Sequence, residues 1–397
     1  MPSNYLLVAP VFPPNNSSAS VQLWHLANEF KNNALSITVI VPDHKLHSSY
    51  LIQNINNLKI VRLRVPKSID TSYIRRTISE LITPFSMILN YRKSPLNKKK
   101  WDFIVWYSPM IFTSIFVNFL KKKNNSKTYL ILRDIFPEWA HNLGIINNNL
   151  VLNFFKYIEN YQNSVADIIG VQSNVDLNFF KLNKFVAHKT ELLNNWLSLE
   201  KKSKCSINLS LSPLKNKKIL VYSGNMGVAQ NLSFLLDVAK KIKSHKDIGF
   251  LFIGRGSQKK ELEMKAKKYD LQNVLFINEI SFTELSGIYR QCKVGIISLD
   301  KSHKTSNIPG KFLSYISHGL PVLSYVNSSN DLIDIIRKGD VGAVTDDFSI
   351  DNCVTVLLNL LDALERKKYK VKCLKLYNQM FTSKKALEQI LSSLGKL

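Results

Sequence analysis

Short runs of consecutive apolar residues alternate with longer stretches in which apolar positions recur every three or four residues, and the rhythm persists through most of the chain. A short run reads as a strand buried on both faces, and a longer stretch as an amphipathic helix. In the first half the predicted strands are 4–9, 36–41, 59–64, 102–106, 127–132 and 167–171, with helical spacing near 19–32, 73–92, 109–121, 150–165 and 173–181. The pattern breaks around Asn194–Leu197. It restarts at Lys218-Ile-Leu-Val-Tyr222 and continues with strands at 248–253, 273–277, 293–298 and 321–325. The helices between them fall near 228–243, 257–268, 282–290, from Pro309, 330–338 and 350–364. Ser281 and Glu284 have the spacing of a capping box, which places the start of the 282–290 helix.

Strands that alternate with helices imply an α/β chain whose parallel sheets are covered on both faces. At 397 residues the chain exceeds one ordinary core. The organisation expected is a first domain over 1–200, a polar, basic linker over 201–217, a second domain over 218–366, and C-terminal helices over 367–397 that pack back on the first domain.

Composition narrows this picture. Cys205, Cys292, Cys353 and Cys373 are far apart and have no near histidine, so neither a zinc site nor a disulfide scaffold is indicated. The chain opens on the strand-like Tyr5–Ala9, so no secretory signal is expected. The uncharged run Phe103–Leu120 approaches transmembrane length, but Pro109 and Ser108, Thr113, Ser114 and Asn118 divide it into a buried strand and a helix. A formal charge of +25 concentrates anions around the molecule. No aromatic-plus-basic module of the usual nucleic-acid types is present, so no nucleic-acid partner is expected.

Three segments of the second half carry candidate anion chemistry. Tyr222-Ser-Gly-Asn-Met-Gly227 lies between a strand and a helix; Ser223, Gly224, Asn225 and Gly227 suit a tight turn beneath a helix N-terminus, where N–H groups attract phosphate. An ordinary strand-to-helix turn has the same composition. Gly254 and Gly256 flank Arg255 after the next strand, allowing close approach beside a guanidinium fork. In Asn307-Ile308-Pro309-Gly310-Lys311, Pro309 suits a first helical turn, so the preceding amides and Lys311 can face a diphosphate, with Ser314 one turn on; a plain helix start with a solvated lysine is the alternative.

The first half offers other groups. The loop Pro10–Ser20, with Pro13, Pro14, Ser18 and Ala19, suits an acceptor-side or phosphate-facing loop, and equally an exposed turn. Arg133, Asp134 and Glu138 lie just beyond an apolar strand, where α/β enzymes put reacting groups. A carboxylate there can orient a substrate hydroxyl and Arg133 can steady phosphate charge; Asp134 as a helix cap and Glu138 as a solvated side chain remain the structural alternative. The stretch Tyr73–Lys93 sets Arg75, Arg76, Arg92 and Lys93 around an apolar body that includes Phe85, which suits a helix lying on an anionic membrane surface or one buried on the sheet. Pro84 is expected to bend or divide it.

At these motifs the sequence resembles the large retaining glycosyltransferase family 4, of GT-B fold, over nearly its full length, and most closely the bacterial N-acetyl-L-fucosamine transferases of O-antigen and capsule assembly. The match is strongest in Tyr222–Gln230, in Asn307–Tyr315 and in Gly319–Leu323, with support from Pro10–Pro14, Ala19 and Asp134–Glu138. The resemblance implies two Rossmann-like domains facing each other across a cleft. The second would bind a UDP-sugar donor, its diphosphate beside Gly224–Gly227 and Lys311 and its base near Gly254; the first would help bind the acceptor. Ser306 and Ser314 stand where many relatives carry spaced glutamates, and Arg133 where many carry histidine, so the donor contacts differ here.

The resemblance further implies transfer with retention of anomeric configuration, no catalytic metal and no other cofactor. The donor would be UDP-N-acetyl-L-fucosamine. The acceptor would be a lipid-diphosphate-linked sugar, ending in N-acetylglucosamine, at the anionic cytoplasmic face of a bacterial inner membrane. Another UDP-hexosaminyltransferase, a GT-B nucleotide-sugar epimerase, and a non-catalytic protein that binds nucleotide-sugar or anionic lipid are the alternatives.

Overall fold

Consecutive Val, Ile, Leu and Phe residues can all be buried only in strands covered on both faces, and such strands build both sheets. The computed structural model describes residues 3–15, 17–68, 72–142, 144–182, 185–199, 205–301, 308–364 and 368–395. The chain divides into two units, Met1–Asn195 with Ser383–Leu397, and Trp196–Thr382.

The strands of the first unit are β1 (Asn4–Val8), β2 (Ser36–Asp43), β3 (Tyr50–Ile55), β4 (Leu58–Arg64), β5 (Phe103–Tyr107), β6 (Lys127–Leu132), β7 (Ile168–Val171) and β8 (Thr190–Leu192). They lie in the order β3-β4-β2-β1-β5-β6-β7-β8. Only β3 runs antiparallel to its described neighbour. β3 and β8 extend the six strands expected from the apolar runs. Ile55 pairs with Leu58, leaving a two-residue turn of Asn56 and Asn57, both at positive φ, the conformation such a hairpin requires.

The helices of this unit's first segment are α1 (Ser18–Asn32), α2 (Tyr73–Lys93), α3 (Thr113–Asn124), α4 (Glu138–Asn142), α5 (Asn149–Val165) and α6 (Asn174–Lys181). α2 packs on α3 and α3 on α5, over a core that includes Leu6, Ile104, Phe116, Leu130 and Ile169. α2 runs through Pro84 as one helix, so the division expected there does not occur. The uncharged run Phe103–Leu120 separates into β5 and α3, and among the described residues no helix is long and apolar enough to cross a membrane.

The second unit holds β9 (Lys218–Ser223), β10 (Ile248–Ile253), β11 (Val274–Ile277), β12 (Val294–Ser298), β13 (Val322–Tyr325) and β14 (Gly342–Thr345), all parallel, in the order β11-β10-β9-β12-β13-β14. The order reverses between β9 and β12, and ligands of doubly wound sheets collect beyond the carboxyl ends at such a reversal. Its helices are α7 (Leu232–Lys241), α8 (Lys259–Lys268), α9 (Phe282–Tyr289), α10 (Gly310–Ser317), α11 (Leu332–Gly339), α12 (Ile350–Ala363) and α13 (Tyr369–Met380). One face of the sheet buries Leu251 and Phe312, the other Leu236 and Phe250.

Three boundaries differ from the sequence reading. The helix expected at 228–243 is a single 3-10 turn, Val228–Gln230, followed by α7, because Asn231 between them takes a left-handed conformation. The described part of the expected linker packs on the second unit. Leu209 and Leu214 enter its core, and Gln291 accepts from Leu209 N–H at 2.8 Å and donates to Ile207 O at 3.0 Å. The C-terminal helices part company: α13 packs on α10 in the second unit, and α14 (Ser383–Ser393) packs on α1 in the first.

Candidate functional site

The loop after β9 extends the sheet. Ser223 pairs with Ile253, and beyond them Gly224 N–H donates to Ile253 O at 2.9 Å and Met226 N–H to Arg255 O at 2.7 Å. The two chains are close enough that a methyl group at Gly254 would overlap the Gly224 carbonyl oxygen, and one at Gly256 the Met226 carbonyl oxygen. Both glycines also have φ near +150°, at 147° and 155°. They are therefore used by backbone packing. Gly227 N–H is taken by Gln230 Oε1 at 3.2 Å, and Gln230 also accepts from exposed Asn225 Nδ2 at 3.3 Å. The amides of Gly224 and Gly227, expected to face phosphate, are thus already bonded within the protein.

Ser223 is likewise turned inward. Its Oγ lies 2.7 Å from Tyr289 Oη, and its N–H donates to Tyr315 Oη at 3.0 Å. Burial pushes both phenols well above their ordinary range. A hydroxyl engaged this way anchors the end of β9 to α9 and α10 rather than facing a ligand.

Lys311, in the first turn of α10, reaches back over the same strand end. Its Nζ donates to Tyr222 Oη at 3.0 Å and stands 4.3 Å from the centre of that ring. Tyr222 in turn donates to Asn225 O at 2.5 Å, which fixes its proton and leaves its oxygen lone pairs toward the lysine. Nζ and Cε lie 3.8 and 3.6 Å from where a Gly224 side chain would begin, so the lysine packs at ordinary contact distance over the Gly224 backbone. Burial lowers the ammonium from 10.5 to about 8, and among the described residues no carboxylate pairs with it. A buried cation that lacks an acidic partner is a place for an anion.

The neighbouring expected residues divide. Arg255 is exposed and its Nε lies 3.1 Å from Glu279 Oε2, so its fork is partly held by a carboxylate. Ile308 is buried in the core and Gly310 is exposed with open space around it. Ser314 is buried and donates back to Gly310 O at 3.3 Å. Asn307, like Ser306, lies outside the described residues.

In the first unit Arg133, immediately after β6, donates from Nη1 to Tyr107 Oη at 3.0 Å. Tyr107 passes its own proton to Gln22 Oε1 at 2.8 Å, and Gln22 Nε2 donates to Asn195 Oδ1 at 2.6 Å. Directed bonds run from the end of β6 through β5 and α1 to Asn195, where the first segment of the unit ends. Burial opposes the Arg133 charge, and the Tyr107 oxygen and the Asp134 carboxylate favour it. Glu138, in α4, is held 3.8 Å from Lys156, and one of its oxygens is buried with no hydrogen-bond partner among the described residues. Beside it Glu159 is buried, and burial together with the Glu138 charge raises its carboxyl from 4.5 to about 8. Glu159 carried no apolar or turn signal in the sequence that set it apart.

Of the N-terminal loop, Pro13 gives its carbonyl to Arg62, Pro14 is exposed after a cis peptide bond, and Ser18 and Ala19 form the first turn of α1 behind the cap Ser17. On α2, Arg75, Arg76, Phe85, Arg92 and Lys93 are all exposed. Arg76 pairs with Glu80 at 2.8 Å and Arg92 lies over the Phe119 ring at 5.2 Å.

Residues 217–363 match the family model for glycosyl transferases group 1. WcaI of Escherichia coli K12, named as a colanic acid biosynthesis glycosyl transferase, is 21% identical over 233 residues, 56% of this chain and 57% of its own, so the chain spans little more than half the length of that relative. A solved sucrose-phosphate synthase of Thermosynechococcus elongatus matches with a TM-score of 0.70 at 12% identity over 98% of each chain. Anabaena HepE, solved with UDP and glucose, matches at 0.67 and 12% over 99% of each. At such identities the likeness to the solved structures is one of fold. Residues 217–363 thus carry the likeness to the glycosyl transferases group 1, on a chain of two Rossmann-like parallel sheets with the GT-B fold.

Proposed function

We propose that the protein is a retaining glycosyltransferase of bacterial surface-polysaccharide assembly, moving N-acetyl-L-fucosamine from its UDP derivative to a lipid-diphosphate-linked sugar, N-acetylglucosamine at its end. The observation that carries donor binding is Lys311, a half-buried residue whose desolvated ammonium has no carboxylate partner among the described residues, at the sheet reversal of the domain that matches group 1. Its charge would meet the donor diphosphate and the negative charge that grows as the glycosidic bond breaks. The acceptor hydroxyl would attack the anomeric carbon on the face the diphosphate leaves, its proton passing to the departing oxygen. Arg255 is an exposed second cation for the same charge. Arg133, Asp134 and Glu138 are assigned to the acceptor, and the exposed apolar and basic face of α2 to the membrane that holds the acceptor's lipid. No metal or other cofactor enters the reaction, and transfer is expected to persist in EDTA.

A mass-spectrometric assay tests this with purified protein, membranes bearing lipid-linked N-acetylglucosamine, and a panel of UDP-sugars. An acceptor mass gain of one N-acetylfucosamine that depends on its UDP donor is the expected result. Gain from a different donor replaces the sugar; donor binding with no transfer to any acceptor overturns the enzymatic reading.

A further inference from the structure

Helix α5 buries Leu152, Ile158 and Val165, as an amphipathic helix does, but it also buries polar side chains and exposes large apolar ones. Glu159, Gln162 and Asn163 are buried, whereas Leu150, Val151, Phe154 and Tyr157 are exposed, Leu150 to 80% and Tyr157 to 71%. Positions 150, 154 and 157 are three and four apart and so share a face. The face is ordered. Asn148 Oδ1 caps the helix by accepting from Leu150 N–H at 2.8 Å, and the Phe154 ring meets Phe112 at a tilt and Phe155 edge-on, at 6.3 and 5.4 Å between centroids. Ile145, just before the helix, adds a further exposed apolar side chain.

α5 belongs to a layer. Asn118 of α3 donates to Tyr161 of α5 at 2.7 Å, and α3 packs on α2, whose Ile74, Ile78, Ile82, Phe85 and Leu89 are exposed at helical spacing. Over these three helices the sequence has eight basic residues against two acidic ones. Of the acids, Glu80 is paired with Arg76 and Glu159 is buried. Arg76, Lys121 and Lys156 pair with Glu80, Asp167 and Glu138, which leaves Arg75, Arg92, Lys93, Lys122 and Lys123 without an ion pair among the described residues. Exposed apolar rows beside this cationic excess match hydrocarbon beneath anionic headgroups, while a second copy of the same face would set cation against cation.

We infer that α5 is a second membrane-contact element, seating its Leu150–Tyr157 face in an anionic bilayer surface alongside α2. The inference rests on the reading of a membrane-held acceptor and extends the contact from one helix to a helical layer. Leu150, Phe154 and Tyr157 enter the interface while the buried polar side of α5 keeps its place in the fold.

The test uses the full chain with Leu150→Cys, in a Cys205→Ser background because the other cysteines are buried, labelled with an environment-sensitive nitrobenzoxadiazole dye. Vesicles of phosphatidylcholine with phosphatidylglycerol should shift the emission to the blue; phosphatidylcholine alone should not. In co-sedimentation with the same vesicles, Leu150→Ser/Phe154→Ser/Tyr157→Ser should bind about tenfold more weakly than wild type, with UDP affinity unchanged as the check on folding. Vesicle binding without a dye shift, or a triple variant that binds as wild type does, overturns the inference. So does a concentration-dependent shift without vesicles, which would assign the face to a second copy of the chain. Because both readouts omit sugar donor and acceptor, they stand apart from the transfer assay: vesicle binding through α5 in a protein that transfers no sugar would fail the enzymatic reading and leave this one in place.

Discussion

Lys311 Nζ meets Tyr222 twice, 3.0 Å from its phenolic oxygen and 4.3 Å from the centre of its ring. One tyrosine thus serves as hydrogen-bond acceptor and as π face to a cation that burial has lowered to about 8. A diphosphate set beside that ammonium favours its charged form. The dissociation constant for the UDP-sugar donor, followed by calorimetry against pH, should be flat below about 8 and rise up to about tenfold per pH unit above it. Affinity that holds unchanged well above pH 8 would remove Lys311 from the diphosphate.

The same burial has a consequence for stability. The unfolded lysine keeps its ordinary 10.5, so between about 8 and 10.5 the unfolded chain binds the extra proton and wild-type stability rises with pH. Lys311→Met lacks that slope and no longer buries a charge. It should be more stable than wild type at neutral pH by about 1–3 kcal/mol, by denaturant unfolding, while losing donor use. A destabilised Met variant would mean that the contacts with Tyr222 outweigh the lost solvation.

Arg133 reaches the acceptor, in our reading, through a guanidinium held by Tyr107. Tyr107→Phe removes both the oxygen that accepts from Arg133 and the proton that binds Gln22. The expected cost is about 1–2 kcal/mol of stability. Turnover with acceptor should fall about tenfold, while donor affinity stays as in wild type. Loss of donor affinity to the same degree would move Arg133 to the donor.

The features that could be read from the sequence are those set by neighbours in the chain. The apolar runs mark β1, β2 and β4 through β7 because a doubly covered strand needs no partner to announce itself. β3 is half exposed and its hairpin is signalled only by Asn56-Asn57, while β14 is a four-residue edge with three partly buried positions. Lys311 and the glycine turns were visible as local motifs. What the glycines do was not, since Gly254 meets Gly224 only after β9 and β10 have paired. The Ser223–Tyr289–Tyr315 cluster and the Arg133–Tyr107–Gln22–Asn195 line join residues far apart in the chain, so spacing carries no trace of either.

Glu159 gives a pH dependence of opposite sign to that of Lys311. Its folded value is raised from 4.5 to about 8 by burial and by Glu138, against a smaller lowering from Lys156. Between those values the folded chain holds the extra proton, so stability falls as pH rises across the window. Glu159→Gln keeps the shape of the protonated acid and should remove the slope, becoming more stable than wild type above pH 8 by about 1–3 kcal/mol. Parallel stability curves for the two proteins between pH 5 and pH 8 would place the Glu159 carboxyl in contact with water.

Two glycines at the proposed donor loops should respond oppositely to alanine. At Gly254 a methyl group meets the Gly224 carbonyl oxygen, which belongs to the backbone and cannot rotate away, and φ of 147° is strained for any L side chain. Relief requires the β9 loop to separate from the β10 loop, losing the Gly224 N–H to Ile253 O bond and shifting the strand end over which Lys311 lies. Gly254→Ala should cost about 2–4 kcal/mol and weaken donor binding as well. At Gly310 nothing stands within 4 Å of the new methyl group, and the residue is the first of α10. Gly310→Ala should be neutral or stabilising by up to about 1 kcal/mol. Melting temperatures of the two variants, read with and without UDP, separate the cases: if Gly254→Ala melts with wild type and binds UDP equally well, the close pairing of the loops does not shape the donor site, and the glycines would have to be explained by a ligand that approaches the backbone directly.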